Sequence, residues 1–79
     1  MAVRFYDEKF LAKKLGVEKR YFHRIVKPQI LKDFPEILIE LNVENPDIGL
    51  DENDIIYLAD PNHKTVKSTQ LTIFDYQIE

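Results

Sequence analysis

The sequence predicts an α+β domain, two or three N-terminal helices followed by a small antiparallel three-stranded meander. Three observations point there. Apolar residues up to about residue 42 recur at helical spacing, and the turn signal Asn45-Pro46-Asp47 breaks that pattern. Beyond it the chain is rich in β-branched residues. Helices gathered before strands, rather than alternating with them, mark the α+β class.

Each element has its own local reason. Residues 5–15 read as a short helix, with Asp7 as cap and Phe10, Leu11 and Leu15 as its apolar positions. Lys13 and Lys14 suit the negative end of its dipole, and Gly16 supplies the left-handed stop. A second helix runs from about Glu18 to Val26, with Phe22, Ile25 and Val26 as its buried stripe. Pro28 predicts a break or kink that exposes Lys27. Pro35 opens a segment over 36–42 that fits either a third helix or a strand. Strands are expected over Ile48–Leu50, Ile55–Ala59 and Thr65–Ile73, with a tail from Phe74 in which Phe74 and Tyr76 pack.

Length and composition bound the rest. Seventy-nine residues make a single domain, 1–79, with a marginal core and no cysteine to staple it. Stability must come from apolar packing, a partner or a second copy, so a homodimer and a cognate protein partner are both expectations. An apolar fraction of 44% suits a globular chain rather than a disordered one. No apolar run is long enough to cross a membrane, and the N-terminus lacks a signal peptide's apolar core, which predicts a cytoplasmic protein without membrane contact. The net charge of −3 conceals polarity: residues 1–33 hold 9 basic and 4 acidic side chains, while residues 34–79 hold 2 basic and 10 acidic. A basic face of this kind suits an anionic partner; the alternative is that the two halves neutralise each other across the fold.

The densest chemistry lies in residues 18–34. Lys19, Arg20, His23, Arg24 and Lys27 share one helix surface, with His23 one turn from both Lys19 and Lys27. No metal ligand set is expected, because neither His23 nor His63 lies in a metal-binding pattern. Asp47, Asp51, Glu52, Asn53 and Asp54 lack the spacing of a calcium loop and read as a solvated turn. No glycine loop cradles a phosphate, Ser68 has no nucleophile elbow, and no cofactor is implied. His63, in a turn, reads as an ordinary surface side chain. Leu11-Ala12-Lys13-Lys14-Leu15-Gly16-Val17 with Phe22 and Ile25 also fits a helix-turn-helix, in which Lys19, Arg20, His23 and Arg24 would meet DNA. A non-enzymatic interaction module, antitoxin or immunity-like, is a third class consistent with the acidic half.

A wider pattern is carried by Leu15-Gly16-Val17, Phe22-His23, Ile25-Val26-Lys27-Pro28-Gln29-Ile30-Leu31 and Asn45-Pro46-Asp47-Ile48-Gly49-Leu50-Asp51. It continues through Ile55-Ile56-Tyr57-Leu58 and Lys64-Thr65-Val66-Lys67-Ser68-Thr69-Gln70-Leu71 to Tyr76. In order and type these resemble the small C-terminal toxin domains of bacterial polymorphic toxins, grouped with metal-independent ribonucleases of the barnase, colicin-nuclease and RelE-like superfold. The turn before Ile55, Asp51-Glu52-Asn53-Asp54, departs from the glycine usual there. The resemblance implies RNA as partner and cleavage by the 2′-hydroxyl attacking its own phosphate. It makes His23 the base or acid and Lys27 the charge stabiliser, with Lys19, Arg20 and Arg24 as further nucleic-acid contacts. Lys64, Thr65, Ser68, Thr69 and Tyr76 would bind phosphate or supply the second proton from the sheet, across a helix–sheet cleft.

Overall fold

The computed structural model describes residues 2–77. In chain order it contains strand β1 (Arg4–Phe5) and helices α1 (Glu8–Leu15), α2 (Lys19–Tyr21), α3 (Lys27–Asp33) and α4 (Pro35–Leu41). Strands β2 (Asp47–Leu50), β3 (Ile55–Ala59) and β4 (Val66–Thr72) follow, and a 3₁₀ turn over Ile73–Tyr76 comes after β4. The α+β class and the antiparallel meander are as expected, but the sheet has four strands, ordered β1-β2-β3-β4.

The added strand comes from the chain start. Asp7 Oδ1 accepts from the Phe10 N–H at 2.9 Å and fixes the first helical residue at Glu8, so Arg4 and Phe5 are free to pair with Leu50 and Gly49. Gly49 is the condition for that pairing. A Cβ there would lie 2.9 Å from the Arg4 carbonyl oxygen and 2.9 Å from the Phe5 ring. Gly49→Ala is therefore expected to push β1 off the sheet, costing about 1–3 kcal/mol. Urea denaturation checks the stability, and loss of hydrogen-exchange protection at the Tyr6 N–H, which donates to Ile48 O, checks the strand.

At the other end of α1, Gly16 turns left-handed at φ 74, and the Gly16 and Val17 amides donate to the Lys13 and Ala12 carbonyls. The chain then stays helical from Lys19 to Asp33. α2 and α3 are joined by a π turn over Phe22–Val26, in which the Lys27 N–H donates to Phe22 O, five residues back. Pro28 cannot donate to the Arg24 carbonyl, and of the break or kink expected there the chain shows no break: the widened turn before Pro28 accommodates the missing bond, and Lys27 is half-buried rather than exposed. The same widening changes the buried face. Phe22, Val26 and Ile30 point inward, whereas Ile25, placed in the apolar stripe by ordinary helical spacing, is 52% exposed. The segment left open between helix and strand is α4, stopped by Asn42 in the left-handed region at φ 55.

The helices pack on one sheet face. Leu11, Ala12, Leu15, Phe22, Val26, Ile30 and Leu41 meet Ile48, Leu50, Ile56, Leu58 and Ile73 in one core. The pairs Ile48–Leu58 and Leu50–Ile56 face the helices, so Gly49 and Tyr57, one residue along, face away. The acidic turn before β3 is not simply solvated, as its composition suggests. Asp51 is nearly buried, and its Oδ1 accepts from the Asn53 and Ile55 amides at 2.8 and 3.0 Å.

Candidate nucleic-acid interface

Glu8 begins α1, and His23 projects from the π turn across the helical corner. His23 Nδ1 lies 2.6 Å from Glu8 Oε2, with the His23 side chain 64% exposed. An ionised carboxylate only accepts, so the pairing places the ring hydrogen on Nδ1 and leaves Nε2 as the open nitrogen of the neutral ring. Lys19, Arg20 and Arg24 join Glu8 and His23 around a shallow depression of about 440 Å³. Glu8 also lines a neighbouring cleft of about 210 Å³, together with Tyr6, Lys27 and Asp47. The α1–α2 corner thus gathers His23 and the three cations expected beside it, and Glu8 links that group to half-buried Lys27.

The sheet residues are arranged differently from the cleft expected for them. Between Ile55–Thr72 and Tyr57–Ser68 the ladder shifts, leaving Thr69, Gln70 and Leu71 opposite Ile56, with Gln70 at φ 63. Thr69 is 7% exposed and its hydroxyl donates to Ile56 O at 2.9 Å. That hydroxyl is turned inward and ties the bulge to Ile56, away from the cleft expected for it. Ser68 pairs with Tyr57 on the sheet face away from the helices, and its Oγ accepts from the Gln70 amide at 3.1 Å. Lys64 and Thr65 lie in the exposed turn before β4, their amides donating to Asp60 Oδ1 at 2.8 and 3.2 Å.

Tyr76 is occupied elsewhere. Its hydroxyl donates to Asp33 Oδ2 at 2.7 Å, at the C-terminal end of α3. Burial first, then the Asp33 hydrogen bond and the charges of Asp33 and Asp75, raises its pKa far above the ordinary tyrosine value. The folded form therefore keeps the phenol protonated where the unfolded chain, near pH 10, begins to lose it. The associated stability is fully present below pH 10 and declines as the pH rises above it. Tyr76→Phe is expected to flatten the alkaline fall of the urea midpoint above about pH 10, read as the difference from wild type so that the other tyrosines cancel.

Sequence reasoning missed two carboxylate partners. Glu8 is 15 positions from His23, and only the closed helical corner joins them. His63 likewise bonds Asp47, Nε2 to Oδ2 at 2.6 Å, and stacks on Phe5 with ring centroids 4.0 Å apart. Turn composition around His63 carries no sign of either contact. Among the described residues no group of three or more His, Cys, Asp or Glu side chains is placed to hold a metal ion, and no helix is long and apolar enough to cross a membrane. Comparison with protein-family models, curated proteins and solved structures finds no match to this chain.

Proposed function

We propose that this chain is a toxin-type, metal-independent ribonuclease-like domain whose reacting group is His23. The observation that carries the reading is an exposed imidazole with one nitrogen held at 2.6 Å by Glu8 and the other open, ringed by Lys19, Arg20 and Arg24. A carboxylate-held imidazole has a fixed tautomer and orientation, which is what a general base needs. The three cations supply the attraction to phosphates that brings an RNA strand to it.

His23 Nε2 takes the 2′-hydroxyl proton as O2′ bonds to phosphorus. The P–O5′ bond breaks and the leaving oxygen takes a proton from solvent water, while Lys27, in the cleft that Glu8 also lines, offsets charge. The products are a 2′,3′-cyclic phosphate and a 5′-hydroxyl. Lys19, Arg20 and Arg24 offset charge on the phosphorane and its neighbours. Thr65, Ser68, Thr69 and Tyr76 have no step in this scheme.

A second reading, helix-turn-helix binding of DNA, is favoured by the α1–Gly16–α2 corner with Lys19, Arg20, His23 and Arg24 exposed on its second helix. Binding separates the two. His23→Ala should hold single-stranded RNA more tightly than duplex DNA in fluorescence anisotropy. Each change of Lys19, Arg20 or Arg24 to alanine should lower the salt-dependence slope by about one phosphate contact. Preference for duplex DNA, with no RNA cleaved by wild type, would favour the second reading. Affinity for neither would turn attention to a protein-binding role.

A further inference from the structure

We propose that His63 and Asp47 form a latch that positions the Glu8–His23 pair through strand β1. The inference deepens the reading of His23 as the reacting group and rests on it for its kinetic arm alone.

The latch begins in a tightly built turn. The His63 amide donates to Asp60 O at 2.9 Å, while Asp60 Oδ1 accepts from Lys64 and Thr65, so His63 is presented at φ 55 by three hydrogen bonds. Its Nε2 meets Asp47 Oδ2, and its ring covers the Phe5 ring at an interplanar angle of 26°. Beneath Phe5 lies Gly49, whose missing Cβ leaves room for that ring. Phe5 is thus held between the bare backbone of β2 and the imidazole of the β3–β4 turn. An aromatic ring across a strand glycine is a stabilising cross-strand pair.

β1 needs such help. Its two residues sit on the sheet edge and pair with β2 alone. Yet it sets the start of α1 directly: Phe5 precedes Tyr6, whose amide donates to Ile48 O, then the cap Asp7, then Glu8. Two residues, Tyr6 and Asp7, separate the latched ring from the carboxylate that holds His23. Asp47 closes the path from the other side, since it lines the same cleft as Glu8 and Lys27. Release of His63 therefore frees β1 to shift, and a displacement of about 1 Å at a reacting group can cost on the order of 10²-fold in rate.

The test has a spectroscopic and a kinetic arm, applied to wild type, His63→Ala, His63→Phe, Asp47→Ala and Asp47→Asn. Long-range ¹H–¹⁵N spectra read the His23 tautomer whether or not the protein cleaves RNA. Wild type should show hydrogen on Nδ1. His63→Ala and Asp47→Ala should show a mixed tautomer in chains that remain folded by circular dichroism. His63→Phe keeps the stack but loses the Asp47 bond and should give a signal between wild type and His63→Ala, whereas Asp47→Asn keeps an acceptor for His63 and should retain most of the wild-type signal. On RNA the alanine variants should lose kcat by about 10- to 100-fold with KM changed less than about threefold. An unchanged His23 tautomer and unchanged kcat in both alanine variants would overturn the latch. A wild type that cleaves no RNA would overturn the ribonuclease reading, leaving the tautomer arm to decide the latch by itself.

Discussion

His23→Ala is expected to lower RNA cleavage by about 10²- to 10⁴-fold, the usual contribution of a positioned acid–base group. The side chain is 64% exposed and, among the described residues, hydrogen-bonds to Glu8, so the fold loses little with it. Thermal unfolding should move by no more than a few degrees. Affinity for uncleaved RNA should change less than about threefold, because Lys19, Arg20 and Arg24 keep the phosphate attraction. Glu8→Gln gives a graded companion. The amide still accepts from Nδ1–H but no longer stabilises the imidazolium formed as the base takes its proton, so a smaller loss in kcat is expected. Single-turnover assays on the purified variants, with matched melting curves, measure both effects. Equal activity in wild type and His23→Ala would remove His23 from the chemistry.

Phe22→Ala should have the largest effect on stability. Phe22 is completely buried, at 0% exposure, in the turn that carries His23. Removing a buried phenylalanine costs about 3–5 kcal/mol through lost transfer energy and the cavity left behind. Domains have about 5–15 kcal/mol in total, and one of this size sits near the lower end. The variant is expected to be largely unfolded at 37 °C and to lose RNA binding along with cleavage, unlike its neighbour His23→Ala. Urea titration at 25 °C with NMR dispersion as a second probe checks this. A variant with an unchanged midpoint would mean that the π turn does not anchor the helices.

These two neighbours show what was legible in the sequence. Local chemistry was: Asp7 as cap, Gly16 as left-handed stop, the strand over Ile55–Ala59 and the grouping of cations around His23 depend on residues close in the chain. Ile25 was misplaced because Pro28 acts upstream. The widened turn it sits beside brings Phe22 into line with Val26 and Ile30 and swings Ile25 outward. Pro28 itself was the available signal. Phe5 was placed in the first helix and Arg4 in no element because both find their partners far along the chain, although Gly49 within a strand hinted at a close approach.

The proposed site was legible in its cations and histidine and hidden in its carboxylates. Glu8 reaches His23 through the tertiary corner, and Asp47 reaches His63 across the sheet end. Ser68 and Thr69 read correctly as strand residues, but which way each hydroxyl points is decided by the bulge opposite Ile56. A one-residue change of register exchanges the two faces, and composition does not encode it.

The most direct test of the account is cleavage of one mixed-sequence RNA by wild-type protein in EDTA, beside the same sequence with every 2′-hydroxyl methylated. The account predicts fragments ending in 2′,3′-cyclic phosphate and 5′-hydroxyl from the RNA, and an intact methylated strand. RNA left whole, or both strands cut, would contradict it.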